Sequence, residues 1–316
     1  MKVLHDADPT SAERCVVAIG VFDGLHLGHR AVIAELIELA DRYGATPTVV
    51  TFDPSPASVL APENAPRQLA TLEQRLEGLA ALGVQQVRVL TFNQELARES
   101  ARDFIDRVLV HELGTRCVIV GEDFHFGHNR EGTLALLREV GRASGFDVVA
   151  APTHGDGTRW SSSAVRGALE RGDLGEARRV LGRPFVLHGV VEHGDNRGEA
   201  LGFPTANLSV AREQALPAEG VYAGATFLEG AWWPAAISVG TRPQFYDDGA
   251  LLVEVHVVGF AGELYGRTLN VAFLTRLRDQ TTFTSVDELV AQIGRDVEKT
   301  QQMFDAESLD ESLLLT

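Results

Sequence analysis

The run Cys15-Val16-Val17-Ala18-Ile19 has no polar face. A strand of that kind must be covered on both sides, as in a parallel sheet flanked by helices. It breaks at Gly20. After a glycine-rich turn, Val32, Ile33, Leu36, Leu39, Ala40 and Tyr43 recur at helical spacing, with Gly44 placed to stop the helix. The alternation continues through strand-like runs at Thr46–Phe52, Val87–Phe92, Val118–Val120 and Val148–Ala150. Thr71 with Gln74 opens a helix carrying Leu76, Leu79 and Leu82. Ser100 with Asp103 opens another, bearing Phe104, Ile105, Val108, Leu109 and Leu113 and closed by Gly114. Strands separated by helices specify an α/β unit with a parallel sheet, and such sheets take ligands at the C-terminal strand ends.

From about Arg183 the pattern changes. Gly220–Gly224, Ala235–Val239, Leu251–Val258 and Leu269–Phe273 are short strands separated by turn residues, with no long helix between them. This predicts a small antiparallel β-barrel, followed by a terminal helix from Ser285 that carries Leu289, Ile293 and Val297 on one face. A chain of 316 residues suits two domains. The boundary is expected near residue 184, giving domains 1–183 and 184–316.

A net charge of −16 excludes a general binder of nucleic acid or of membrane surfaces, because anionic polymers are repelled. With neither an N-terminal apolar signal nor an 18-residue apolar run, the chain reads as soluble and cytoplasmic. Cys15 and Cys117 lie in apolar runs and read as buried thiols rather than as a disulfide or metal site. Lysine occurs only at Lys2 and Lys299, which excludes a Walker A loop and disfavours Schiff-base chemistry. Nothing in the sequence specifies an oligomeric state.

The turn after the first apolar run reads Gly20-Val21-Phe22-Asp23-Gly24-Leu25-His26-Leu27-Gly28-His29. Its glycines let backbone N–H groups approach a ligand, the following helix N-terminus favours anions, and two imidazoles there suit a phosphate that gains charge during reaction. Ser161-Ser162-Ser163-Ala164-Val165-Arg166, preceded by Arg159, opens a second helix and reads as a polyphosphate clamp or, taken alone, as a surface N-cap cluster.

The two motifs together resemble the HxGH nucleotidyltransferases. Thr51-Phe52-Asp53-Pro54-Ser55-Pro56, Gly121–Gly127 and Leu181-Gly182-Arg183-Pro184-Phe185 extend the likeness to the bifunctional riboflavin kinase/FMN adenylyltransferases. The resemblance runs from about Val16 to Val297 and implies a Rossmann-like first domain that joins FMN to the AMP part of ATP, releasing pyrophosphate. His26 and His29 would stabilise the phosphoryl group. Asp123 would orient the nucleotide, and Arg159, Ser162, Ser163 and Arg166 would hold the departing phosphates. Gly20, Phe22, Asp23, Gly24 and Gly28 would complete the nucleotide site, with Asp53 and Phe124 against flavin. Ser55 stands where the family commonly has His, and His125 where it has Arg.

The resemblance implies riboflavin phosphorylation in the second domain. Gly194–Gly198 and Leu201-Gly202-Phe203-Pro204-Thr205-Ala206-Asn207 match the kinase signature. Gly194 and Gly202 are then nucleotide contacts, and Thr205 and Asn207 ligands of Mg²⁺ bound with ATP. Strand alternation alone puts Glu254 and His256 on one face. The family likeness makes Glu254 the base for the ribityl hydroxyl, and Tyr222 and Arg278 flavin contacts. Arg242 and Gln244 replace the family's Asn and Thr, Gly259 an Asp, and Glu199 an Arg. The substrates implied are ATP, riboflavin and FMN. Alternative readings are a relative keeping one step, an enzyme for a flavin analogue, and a flavin-binding protein without turnover. A nucleotidyltransferase for lipid or pantetheine substrates would have no need of the second-domain motifs.

Overall fold

A computed structural model describes residues 1–6, 8, 13–152, 155–156, 159–193, 198, 201–241 and 251–309. Met1–Pro66 with Leu72–Ser161 form one compact unit; Arg67–Thr71 and the chain from Ser162 form the other.

The first unit is a six-stranded parallel sheet of order β1-β4-β3-β2-β5-β6. Its strands are β1 (Lys2–Leu4), β2 (Cys15–Ile19), β3 (Thr46–Phe52), β4 (Gln86–Leu90), β5 (Cys117–Gly121) and β6 (Asp147–Ala151). All five residues of β2 are buried. Val16 and Ala18 enter one core with Ile33, Leu36 and Leu79, while Cys15, Val17 and Ile19 enter the other with Ile105, Leu109 and Leu137. The two faces are covered as the polarity of the run requires. From β2 the order runs outward to β3 and β4 on one side and to β5 and β6 on the other, so the topological switch lies between β2 and β5.

Helix α1 (Leu27–Tyr43) follows β2 and ends at Gly44 in the left-handed conformation. After α2 (Pro56–Leu60) comes α3 (Leu72–Ala81). The helix opened by Ser100 begins as α4 (Ala101–Phe104) and continues as a π-helix over Ile105–Glu112. That winding was not evident from periodicity, but it aligns residues five apart. Arg107 accordingly reaches Glu112 at 3.0 Å, and Glu99 at 2.7 Å. Helix α5 (Leu134–Ser144) precedes β6. Both cysteines are buried free thiols, and burial pushes Cys117 up to about 11.

The second unit is a closed antiparallel barrel of order β10-β11-β8-β7-β12-β9. Its strands are β7 (Phe185–Glu192), β8 (Ala206–Ser209), β9 (Gly220–Leu228), β10 (Ala231–Thr241), β11 (Leu251–Val257) and β12 (Thr268–Arg278). Helices α6 (Ser162–Glu170) and α7 (Leu174–Leu181) pack on each other, and α7 packs on β7 and β12. By compactness the units part at Ser161/Ser162, so α6 and α7 lie with the barrel. Helix α8 (Val286–Asp305) is capped by Ser285, whose side chain accepts from Glu288 N at 3.2 Å, and it lies against β9, β10 and β12.

Candidate active sites

The first site forms at the switch point. Ile19 ends β2 with Gly20 next in the chain, Val120 and Gly121 end β5, and together with Phe22, His26, His29, Asp123 and Arg159 they line a cavity of about 210 Å³. Phe22 and Leu25 hold positive φ angles of 55° and 45°. Non-glycine residues pay about 1–2 kcal/mol each for that conformation. The turn is therefore held in shape by its surroundings, as at sites organised ahead of ligand binding.

His26 caps α1: its Nδ1 accepts from the backbone N–H of His29 at 3.3 Å. Because a backbone amide can only donate, Nδ1 is unprotonated and the neutral ring of His26 carries its hydrogen on Nε2. The two imidazoles stack with centroids 3.6 Å apart and planes at 22°. Burial keeps His29 well below the usual 6.5, and protonating the adjacent His26 would act in the same direction. Its Nδ1 is buried without a hydrogen-bond partner among the described residues. A Cβ on Gly28 would lie 3.1 Å from both Cε1 and Nδ1 of His26, so a side chain at this position would crowd the capping imidazole. At the mouth, Arg159 pairs with Asp123 at 2.8 Å and holds that carboxyl below its usual 3.8.

Neighbouring residues are held by a group that sequence reasoning missed. Arg75 is 2% exposed, and its Nη1 donates to the Val21 carbonyl at 3.0 Å, Thr51 Oγ1 at 3.0 Å and the Phe52 carbonyl at 3.3 Å. Its Nη2 reaches Asp53 Oδ1 at 3.3 Å. One guanidinium thus ties the turn after β2 to the end of β3, with the buried Asp23 close enough to favour its charge. Phe124 stacks on Phe126, centroids 5.4 Å apart. Trp160, also unforeseen, lines the histidine cavity with its Nε1 buried and unpartnered among the described residues. Ser162, Ser163 and Arg166 begin α6, and Arg166 Nε donates to the Arg67 carbonyl at 2.6 Å.

The second site lies within the barrel unit, in a cavity of about 570 Å³ that brings together Thr205, Asn207, Glu254 and Arg278. The register explains most of this. Glu254 on β11 stands opposite Asn207 on β8 and Ser238 on β10, so the three side chains share one barrel face. Val253, Val255 and Val257 point the other way and are buried. Arg278 donates through Nε to Asp296 Oδ2 at 2.9 Å, and its guanidinium lies 5.7 Å from the centroid of the Phe283 ring. Asp296 is 3% exposed and also accepts from Gln292 Nε2 at 2.9 Å. Leu289, Ile293 and Asp296 of α8 complete the wall.

Not every expected residue lies there. Tyr222 is fully buried, packs edge-on against Phe273, and donates its hydroxyl to the Ala218 carbonyl; it belongs to the core behind the cavity. Gly202 occupies a turn at φ +84° before Thr205. Gly194, Glu199, Arg242 and Gln244 lie outside the described residues. Asp296 and Gln280, whose Nε2 donates to Ser238 Oγ at 3.0 Å, were not foreseen. The donors suit a hard cation, since Thr205 and Asn207 offer neutral oxygens beside the Glu254 carboxylate. Among the described residues no cluster of three or more His, Cys, Asp or Glu could cage a metal, so Mg²⁺ would take its remaining ligands from phosphate and water.

Residues 8–164 match the family model for FAD synthetase, and residues 181–304 match that for riboflavin kinase. The bifunctional riboflavin kinase/FMN adenylyltransferase of Pseudomonas fluorescens is 42% identical over 93% of this chain and 94% of its own length. The protein of that name from Escherichia coli K12 is 39% identical over 95% and 96%, and that from Bacillus subtilis 33% over 96% and 98%. A crystal structure described as a macrolide-efflux protein from Streptococcus pneumoniae superposes with a TM-score of 0.85 at 29% identity, covering 95% of this chain and 99% of that one. Among the described residues of the present chain, no helix is long and apolar enough to cross a membrane.

Two outcomes follow from the first site. Arg75→Met leaves buried acceptors and a carboxylate without their donor, and should cost the first unit about 3 kcal/mol in urea unfolding. Arg75→Lys should recover only part, because one ammonium cannot span the same acceptors. His29 bears on acid stability. Its folded pKa lies below 6.5, so the unfolded chain takes up a proton the folded chain refuses. Stability is full above about pH 6.5 and is lost as pH falls through that value toward the folded pKa. His29→Asn should flatten this decline between about pH 7 and pH 5 in thermal unfolding.

Proposed function

The chain belongs to the bifunctional riboflavin kinase/FMN adenylyltransferase family, and on that premise we propose which of its residues carry each step. It phosphorylates riboflavin to FMN with ATP and adenylylates FMN to FAD. The proposed division assigns residues 1–183 to adenylylation and 184–316 to phosphorylation. Its substrates are small molecules, ATP, riboflavin and FMN, and the acidic chain binds neither nucleic acid nor membrane. We place it in the cytoplasm, where ATP is available and the two thiols stay reduced.

In adenylylation the FMN phosphate attacks the α-phosphorus of ATP in line; a P–O bond forms to FMN and the bond to pyrophosphate breaks. The nonbridging oxygens gain charge as this happens. His26 offers Nε2–H because Nδ1 is committed to the α1 cap, and neutral His29 stacks on it. The N-terminus of α1 adds its partial positive charge at the same point. These donors are oriented before substrate arrives, which is the condition for strong electrostatic stabilisation. Gly20, Phe22 and Gly28 shape the nucleotide cavity, with Asp23 and Gly24 in its turn. Arg159 holds the departing phosphates, Asp123 orients the nucleotide, and Asp53 with Phe124 contacts flavin.

In phosphorylation Glu254 takes the proton of the ribityl hydroxyl as that oxygen attacks the γ-phosphorus, and ADP leaves. Thr205 and Asn207 would hold Mg²⁺, which when bound neutralises phosphate charge. Arg278, held by Asp296 beside Phe283, is assigned to contact flavin. Tyr222 acts only through the core. Gly194 and Gly202 belong to the nucleotide loop.

The observation that carries this reading is that Glu254 and Asn207 face each other in one barrel cavity while the stacked histidines sit at a separate switch point. Glu254→Gln should lower FMN formation about 10²–10⁴-fold with FMN adenylylation intact. His29→Asn should lower FAD formation from FMN about 10²-fold with phosphorylation intact. Chromatography of products with riboflavin or FMN as sole acceptor reads both. A Glu254→Gln protein that still phosphorylates riboflavin at the parent rate would remove Glu254 from its role.

A further inference from the structure

The backbone ladder between β8 and β11 pairs Val253 with Leu208, Glu254 with Asn207 and Val255 with Ala206, and there it stops. The next position on β11 is His256, and the segment it would meet is the loop Phe203-Pro204-Thr205. His256 Nδ1 lies 2.7 Å from the Pro204 carbonyl oxygen. A carbonyl only accepts, so Nδ1 carries the hydrogen and donates it. The same ring meets Phe203 edge-on, centroids 5.6 Å apart and planes at 80°. A side chain thus supplies the rung that the backbone does not, and does so immediately before Thr205.

We propose that His256 is a positioning residue for riboflavin phosphorylation: its Nδ1–H fixes the Pro204 carbonyl and thereby holds Thr205 at its working distance from Asn207 and Glu254. The proposal rests on the kinase reading of this cavity. The geometry gives it a specific form. Thr205 precedes β8 and has no ladder partner among the described residues, whereas Asn207 is held by pairing to Glu254. Without the His256 bond, the loop could turn about Pro204 and carry the Thr205 hydroxyl away from the Asn207 oxygen. Both His256 and Glu254 lie on the cavity face of β11, so a rigid strand sets the base and the loop anchor together.

The side-chain isosteres of histidine separate this role from simple packing. Asn places an N–H near the Nδ1 position, Gln places it near Nε2, and Ala offers none. In the full chain, His256→Gln and His256→Ala should raise the KM for MgATP in riboflavin phosphorylation about tenfold, the effect of one lost hydrogen bond. The riboflavin KM should stay within about twofold, and His256→Asn should restore most of the MgATP effect. FMN adenylylation, measured on the same preparations, should be unchanged in all three. Hydrogen exchange of peptides spanning residues 201–209 should be faster in the Gln and Ala variants and near the parent rate in the Asn variant.

Equal MgATP KM values in all variants, an Asn variant no better than Ala, or a loss confined to the riboflavin KM would each overturn the proposal. A parent protein that forms no FMN from riboflavin would instead overturn the kinase reading beneath it.

Discussion

Strand pairing is the constraint on which both sites depend. In the first unit the parallel order turns outward from β2 in both directions, so only the ends of β2 and β5 leave a crevice between them. The chain fills that crevice with a strained turn and the N-terminus of a seventeen-residue helix. In the barrel the antiparallel register puts Asn207, Glu254 and Ser238 in one row, and a slip of one residue would send Glu254 into the valine-lined core. Chemistry at either site is thus inherited from hydrogen bonds formed by backbone alone.

An acidic chain that handles polyphosphates must concentrate positive potential locally. It does so with few permanent charges. His29 is kept neutral by burial, and His26 commits one nitrogen to the helix cap. Their contribution is therefore oriented dipoles rather than net charge, reinforced by the α1 terminus. Permanent cations are arginines fixed by partners: Arg159 by Asp123, Arg278 by Asp296 and Arg75 by Asp53. Fixed partners remove the rotamer freedom that long cationic side chains otherwise lose on binding.

Much of this was legible in the amino-acid order. The apolar run of β2, the glycine-rich turn and the period-two pattern around Glu254 each state their own geometry. Other features were hidden for identifiable reasons. Strand β1 is a three-residue edge, too short to show a period. Strand β7 contains Gly189, which reads as a turn signal; a Cβ there would meet Leu208 Cγ at 2.6 Å, so glycine reflects the close approach of β8. Arg75 and Asp296 were the functional surprises, yet both carried a signal. Arg75 falls on the same helical stripe as Leu72 and Leu79, and Asp296 on that of Leu289 and Ile293. A charge on an apolar stripe has to find a buried partner. What sequence could not supply was the partner's identity, which depends on β3 for Arg75 and on β12 for Asp296. Tyr222 differs in the opposite sense: the family likeness made it a flavin contact, but it is buried in the core and its hydroxyl is satisfied by the Ala218 carbonyl.

Complementation tests most directly whether the two reactions belong to separate residue sets. His29→Asn and Glu254→Gln proteins are each incubated with riboflavin, ATP and Mg²⁺, then mixed in equal amounts, and FAD is followed by chromatography. Neither protein alone should convert riboflavin to FAD, and the mixture should, because FMN made by one is adenylylated by the other. A mixture that accumulates FMN without FAD, or a single variant that completes the conversion at the parent rate, would contradict the assignment of the histidine turn and the Glu254 face to distinct steps.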